Sequence, residues 1–127
     1  GYDVFLAGSI FDATQYFLEK KPDALIVDLN MDPEGLDIKI EGFESCPEDL
    51  SQITREGALT GWIWLQLLYV KYPEYRTRTV IYSAYLNRLA EIEDQGSLEG
   101  ITRISKREDG HVNKIQDFLT KIKEETR

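Results

Sequence analysis

Short apolar runs alternate with longer helix-periodic segments along almost the whole chain, and this alternation limits the fold more than any other feature. Residues 2–7 (YDVFLA) read as a strand. Ser9 with Asp12 fits a capping box, so a helix is expected from there, with Ile10, Ala13, Phe17 and Leu18 as its apolar face and Lys21-Pro22 as its end. Residues 24–29 (ALIVDL) form a nearly all-apolar run of strand length, the pattern of a strand covered on both faces. A second helix is expected over 60–72, before Pro73. A buried-type strand follows at Thr79–Ser83, a helix over 87–95 ending at Gly96, a mixed strand over 101–105, and a last helix after Gly110. Strands alternating with helices predict right-handed crossovers and a central parallel sheet flanked by helices, an α/β fold.

Residues 32–58 do not fit a compact connection, because loops beyond about 12–15 residues are uncommon. Asp32, Glu34, Asp37, Glu41, Glu44, Glu48, Asp49 and Glu56 stand there against Lys39 and Arg55, a net of −6 out of the chain's −8. The segment is either a solvated acidic insertion or a partner-binding or site-covering loop, with a short helix possible after Pro47 through Leu50 and Ile53. The stretch TGWIWLQLLYVKY is apolar nearly all round, as in a buried core helix or one that also meets a second subunit.

Composition then removes several classes. At 127 residues, the chain is long enough for one domain with its own core. The acidic balance, with a pI of about 4.7, argues against phosphate-backbone binding, so no direct nucleic-acid contact is expected. No apolar run is of membrane-spanning length, and one cysteine, Cys46, makes no internal disulfide, so the expected compartment is the cytoplasm. His111, without a second histidine or cysteine nearby, reads as an exposed residue rather than a metal ligand. There is no glycine-rich phosphate loop and no Ser-His-Asp pattern.

Three polar residues remain, each at the end of an apolar strand. Asp28 closes ALIVD, Ser83 closes TVIYS, and Lys106 follows ITRIS. A parallel sheet puts all carboxyl ends on one edge, where open α/β folds bind ligands. With strands about 4.8 Å apart, adjacent strands in that order would bring acid, hydroxyl and ammonium to one point. Such a set suits phosphoryl transfer: a carboxylate nucleophile, a hydroxyl for a phosphoryl oxygen and a lysine to offset its charge.

On these residues the chain resembles the receiver domains of response regulators, the CheY-like family. The stretch from Gly1 to Met31 resembles that family's second strand, second helix and third strand, VIYSAY its fourth strand, and ISK its fifth. The resemblance implies a flavodoxin-like three-layer sandwich and a signalling role, not an enzyme. By position, Asp28 would be the phosphoacceptor, charged by a partner sensor histidine kinase or phosphotransfer protein. Ser83 and Lys106 would bind the phosphoryl group, and Asp28 with the Asn30 backbone carbonyl would hold Mg²⁺. The mark would shift the surface over 84–106 between two packings and change partner affinity.

The chain departs from that pattern in several places. It begins at what resembles the second strand, without the first strand and its metal-binding acidic pair. Arg103 stands where an aromatic switch residue is common, Arg107 where proline follows the lysine, and Asp32 where proline is usual, with Pro33 one place late. Without a first strand, apolar sheet surface at Phe5, Ile26 and Val27 is expected to be open, and covered by a second chain (a homo-oligomer among the options) or by further residues. Two alternatives stay open: a pseudo-receiver that binds partners unphosphorylated, and a phosphatase of the haloacid-dehalogenase type, whose second aspartate would fall where this chain has Asn30.

Overall fold

The computed structural model describes residues 10–30, 59–91 and 98–125. The expected strand over 2–7, the Ser9 cap and the acidic segment over 32–58, with Cys46 and Pro47, lie outside them. The first helix, α1, spans Ile10–Lys20, and Ile10, Thr14 and Phe17 turn inward. It stops at Lys21, whose φ of 48° places a non-glycine residue in the left-handed region, and whose N–H donates to the Phe17 carbonyl at 2.9 Å. That conformation is offset by the side chain. The Lys21 ammonium donates to the Tyr72 hydroxyl at 3.0 Å and lies over the Tyr72 and Phe17 rings at 4.3 and 5.0 Å. Pro22 then bars further helix.

Strand β1 is Leu25–Val27, β2 is Thr79–Ser83 and β3 is Thr102–Ser105. They form one parallel sheet in the order β1-β2-β3, with Val27 opposite Ile81 and Ser83 opposite Ser105. Helix α2, Thr60–Lys71, connects β1 to β2 through a 3₁₀ turn at Pro73–Arg78. Helix α3, His111–Glu125, follows β3. Alternation along the strands divides the core in two. Leu25, Val27 and Ile81 pack with α1 and α2, including Leu65 and Leu68, which are wholly buried. Val80 and Ile104 pack on the other face with Phe118 and Ile122 of α3. The molecule is therefore a mixed α/β structure with helices on both faces of a small parallel sheet.

One polar joint ties α1 to α2. The Trp64 indole N–H donates to the buried Thr14 hydroxyl at 2.9 Å, and that hydroxyl donates to the Ile10 carbonyl at 2.8 Å. The all-apolar reading of α2 corresponds to a core helix: seven of its residues are buried, and Val70 at its end is 66% exposed.

Two expectations are corrected. The paired part of the 24–29 run is only Leu25–Val27, and Ile26 is 48% exposed, so this strand is not covered on both faces: α3 covers Val80 and Ile104 but leaves Ile26 at the sheet margin open. Val27, expected on open surface, is buried under α1 and α2 instead. The helix expected over 87–95 is present as a 3₁₀ helix at Leu86–Glu91, begun by the Arg88 N–H on the Tyr85 carbonyl at 2.9 Å, with Leu89 buried in the core and Leu86 packed against it; the part of that expectation beyond Glu91 lies outside the described residues.

The chain leaves β1 and re-enters α2 at one spot, because the Gly61 N–H donates to the Leu29 carbonyl at 3.1 Å. The segment between is thus a closed excursion, and loop length costs little once the ends meet. Replacing residues 32–57 by a short glycine-serine linker should leave a single cooperative urea transition. Loss of cooperativity would show that the described core needs that segment.

Candidate functional site

Asp28 is the first residue beyond β1, Ser83 the last of β2 and Lys106 the first beyond β3. The parallel register brings the three ends together. The Lys106 ammonium sits 2.9 Å from Asp28 Oδ2, and the Asn30 N–H donates to Oδ1 at 3.2 Å in a local Asx turn. The Ser83 oxygen accepts the Tyr85 N–H at 3.1 Å, and its hydroxyl favours the ionised form of the neighbouring carboxylate. Backbone fixes the frame: the Lys106 N–H donates to the Ser83 carbonyl at 3.0 Å. Acid, hydroxyl and ammonium therefore meet, across three strands, at one edge.

Burial works to raise the Asp28 pKa. The Lys106 hydrogen bond, the Ser83 hydroxyl, the Asn30 N–H and the Lys106 charge outweigh it and hold the carboxyl below its ordinary value of 3.8. The group is ionised at neutral pH. Both partners remain partly open, at 35% exposure for the Asp28 side chain and 40% for Lys106, so solvent screens the pair.

Gly61 explains how α2 reaches this edge. A Cβ there would stand 2.0 Å from the Asp28 carbonyl oxygen and 2.9 Å from a Val27 methyl. No side chain fits, and the obstacle is backbone. The signal in the sequence is a glycine in the first turn of an otherwise apolar helix, where it weakens the helix and so has a packing reason.

Two more residues at the site escaped the sequence. Lys106 Nζ lies 5.2 Å from the centre of the Tyr82 ring, and the Tyr82 hydroxyl shares a hydrogen bond with His111 Nδ1. His111 is half-buried and partnered, not the exposed residue its isolation implied. Arg107 is exposed, its N–H on Ser105 Oγ at 3.1 Å and its guanidinium over the Tyr85 ring at 5.6 Å. Arg103 is exposed on β3.

The donors for magnesium are incomplete. Mg²⁺ wants near-octahedral oxygen ligands. Among the described residues no group of three His, Cys, Asp or Glu side chains converges, and the two Asp28 oxygens already face Lys106 and the Asn30 N–H. The described residues do not fit the ion by themselves. No helix among them is long and apolar enough to cross a membrane. No protein-family model, curated protein or solved structure matches the chain.

Because folding lowers the Asp28 pKa, its ionised form contributes stability above the ordinary value of 3.8, lost as pH falls through the lower folded value. Asp28→Asn should therefore cost up to about 1 kcal/mol at pH 7 and progressively less as pH falls below 3.8, measured by urea midpoints. Gly61→Ala gains helix propensity but overpacks against backbone, and the second effect wins: a net loss of about 1–3 kcal/mol is expected, with a displaced Asp28 carboxyl ¹³C resonance.

Proposed function

We propose that the chain is a receiver-type signalling domain of flavodoxin-like architecture, in which Asp28 accepts a phosphoryl group from the phosphohistidine of a partner kinase or phosphotransfer protein. The observation that carries this reading is the meeting of Lys106 and Ser83 on the Asp28 carboxylate at the carboxyl edge of a parallel sheet. An ionised carboxylate is the form that attacks. As an Asp28 oxygen forms its bond to phosphorus, the donor's P–N bond breaks and its electron pair returns to the imidazole nitrogen. In this reading the Lys106 ammonium offsets charge on the phosphoryl oxygens, and the Ser83 hydroxyl donates to one of them.

A second reading, a pseudo-receiver that binds partners without phosphorylation, is favoured by the incomplete magnesium donors among the described residues. The phosphatase reading has no such support: Asn30 stands where a second carboxylate would serve as acid.

The two readings separate in one experiment. With acetyl phosphate and Mg²⁺, a phosphoacceptor gains the mass of one phosphoryl group. With beryllofluoride and Mg²⁺ its melting temperature rises, since a ligand held only by the folded state stabilises it by mass action. Asp28→Asn should abolish both effects. Neither effect in the unaltered chain would favour the pseudo-receiver.

A further inference from the structure

Lys106 serves two partners at once. Its ammonium holds the Asp28 carboxylate at 2.9 Å and lies over the Tyr82 ring, 5.2 Å from the centroid. The same ring continues beyond the site: its hydroxyl bonds His111 Nδ1, and the two rings lie 5.7 Å apart with 34° between their planes. His111 is the first residue of α3, the helix that covers one face of the sheet through Phe118 and Ile122. Asp28, Lys106, Tyr82 and His111 are thus linked without a gap from the sheet edge to a helix start.

We propose that Tyr82 and His111 form a relay that carries the charge state of Asp28 to the first turn of α3. Continuing the β1–β2 register one step past Val27 and Ile81 sets Asp28 across from Tyr82. The ammonium is therefore shared between a full negative charge and the negative face of a ring, two attractions that compete for its position. Neutralising the carboxylate, or extending it with a phosphoryl group, changes where the ammonium rests and so changes the field on the ring. The phenol transmits that change, because its hydrogen bond to Nδ1 depends on the ring's electron density. Its biological input, phosphorylation, rests on the function proposed above; the relay itself answers to any change of charge at Asp28.

Other charges also reach the imidazole. Glu108 feels His111 from the turn before α3, and is itself bound by Lys114 of α3 at 2.6 Å and by the Ser105 N–H at 3.0 Å. A field from Asp28 acting directly through space would reach His111 as well. The hydroxyl of Tyr82 separates these routes, since Tyr82→Phe keeps the ring under Lys106 and removes only the link to Nδ1.

His111 is the single histidine of the chain, so its ring resonances need no assignment by mutation. The imidazole ¹Hε1 and ¹³Cε1 shifts are followed against pH in the unaltered chain, in Asp28→Asn and in Lys106→Met, each also in a Tyr82→Phe background. Both single variants are expected to displace the His111 titration curve, and Tyr82→Phe is expected to remove most of that displacement. Equal displacement in both backgrounds, or none in either, overturns the relay. Folding of each variant is checked by the cooperativity of its urea transition, and Lys106→Met carries the test should Asp28→Asn fail to fold. Beryllofluoride with Mg²⁺ forms a separate arm. If it leaves His111 unmoved while Asp28→Asn moves it, the relay stands and the phosphoacceptor reading fails; if it displaces His111 in the Tyr82 and the Phe backgrounds alike, the relay fails.

Discussion

β2 is hydrogen-bonded on both sides, and its two parallel neighbours take their register from it. That register decides which residues face one another at the carboxyl edge. It is held by burial rather than by charge. Val80 and Ile81 are wholly buried on opposite faces of the same strand, one against α3 and the other against α1 and α2. Each such side chain contributes about 1.5–3 kcal/mol when fully buried, whereas an ion pair as open as Asp28–Lys106 contributes at most about 1 kcal/mol. The core therefore positions the charges, and the charges are free to change without unfolding the core.

That division has a consequence for the carboxylate. Asp28 is surrounded by donors it did not recruit: the Asn30 N–H is fixed by the local turn, the Ser83 hydroxyl by the end of β2, and the Lys106 backbone by the Ser83 carbonyl. Donors set in advance favour an anion at that point and need not reorganise when its shape changes. Gly61 sharpens the arrangement by letting the start of α2 press directly onto the Asp28 backbone. Arg107 adds a second cation nearby, braced on Tyr85 instead of on a carboxylate.

Asp28, Ser83 and Lys106 were legible in the sequence because each ends an apolar run, and parallel strands align such ends whatever lies between. The long excursion after Met31 did not hide the relation, since spacing along the chain does not enter it. Tyr82 and His111 were not legible for the opposite reason. Their bond joins a strand to a helix start 29 residues later, and neither residue breaks a local pattern. A tyrosine in a β2-like run reads as core filler, and a lone histidine reads as surface. The openness of Ile26 was half legible: apolar runs report burial potential, but which face a helix covers depends on how far α3 reaches across the sheet. The helix at Leu86–Glu91 was legible as a helix but not as a 3₁₀ one, because composition does not separate the two kinds when a segment has little core to anchor it.

Alternation along β2 gives the edge two outlets. Thr79, Ile81 and Ser83 fall on one side of the strand and Val80 and Tyr82 on the other. Ser83 gives its carbonyl to the Lys106 N–H and its hydroxyl favours the ionised carboxylate, while the ammonium of the same lysine lies over the Tyr82 ring on the other side of the strand. The Lys106 backbone is fixed by the Ser83 carbonyl, while its half-exposed ammonium is held only by side chains, so a change at the carboxylate acts on the ammonium before it acts on the strand. In the proposed relay, a buried central strand with one cation straddling its edge couples the two faces. Neither face needs to move for the other to sense a change of charge.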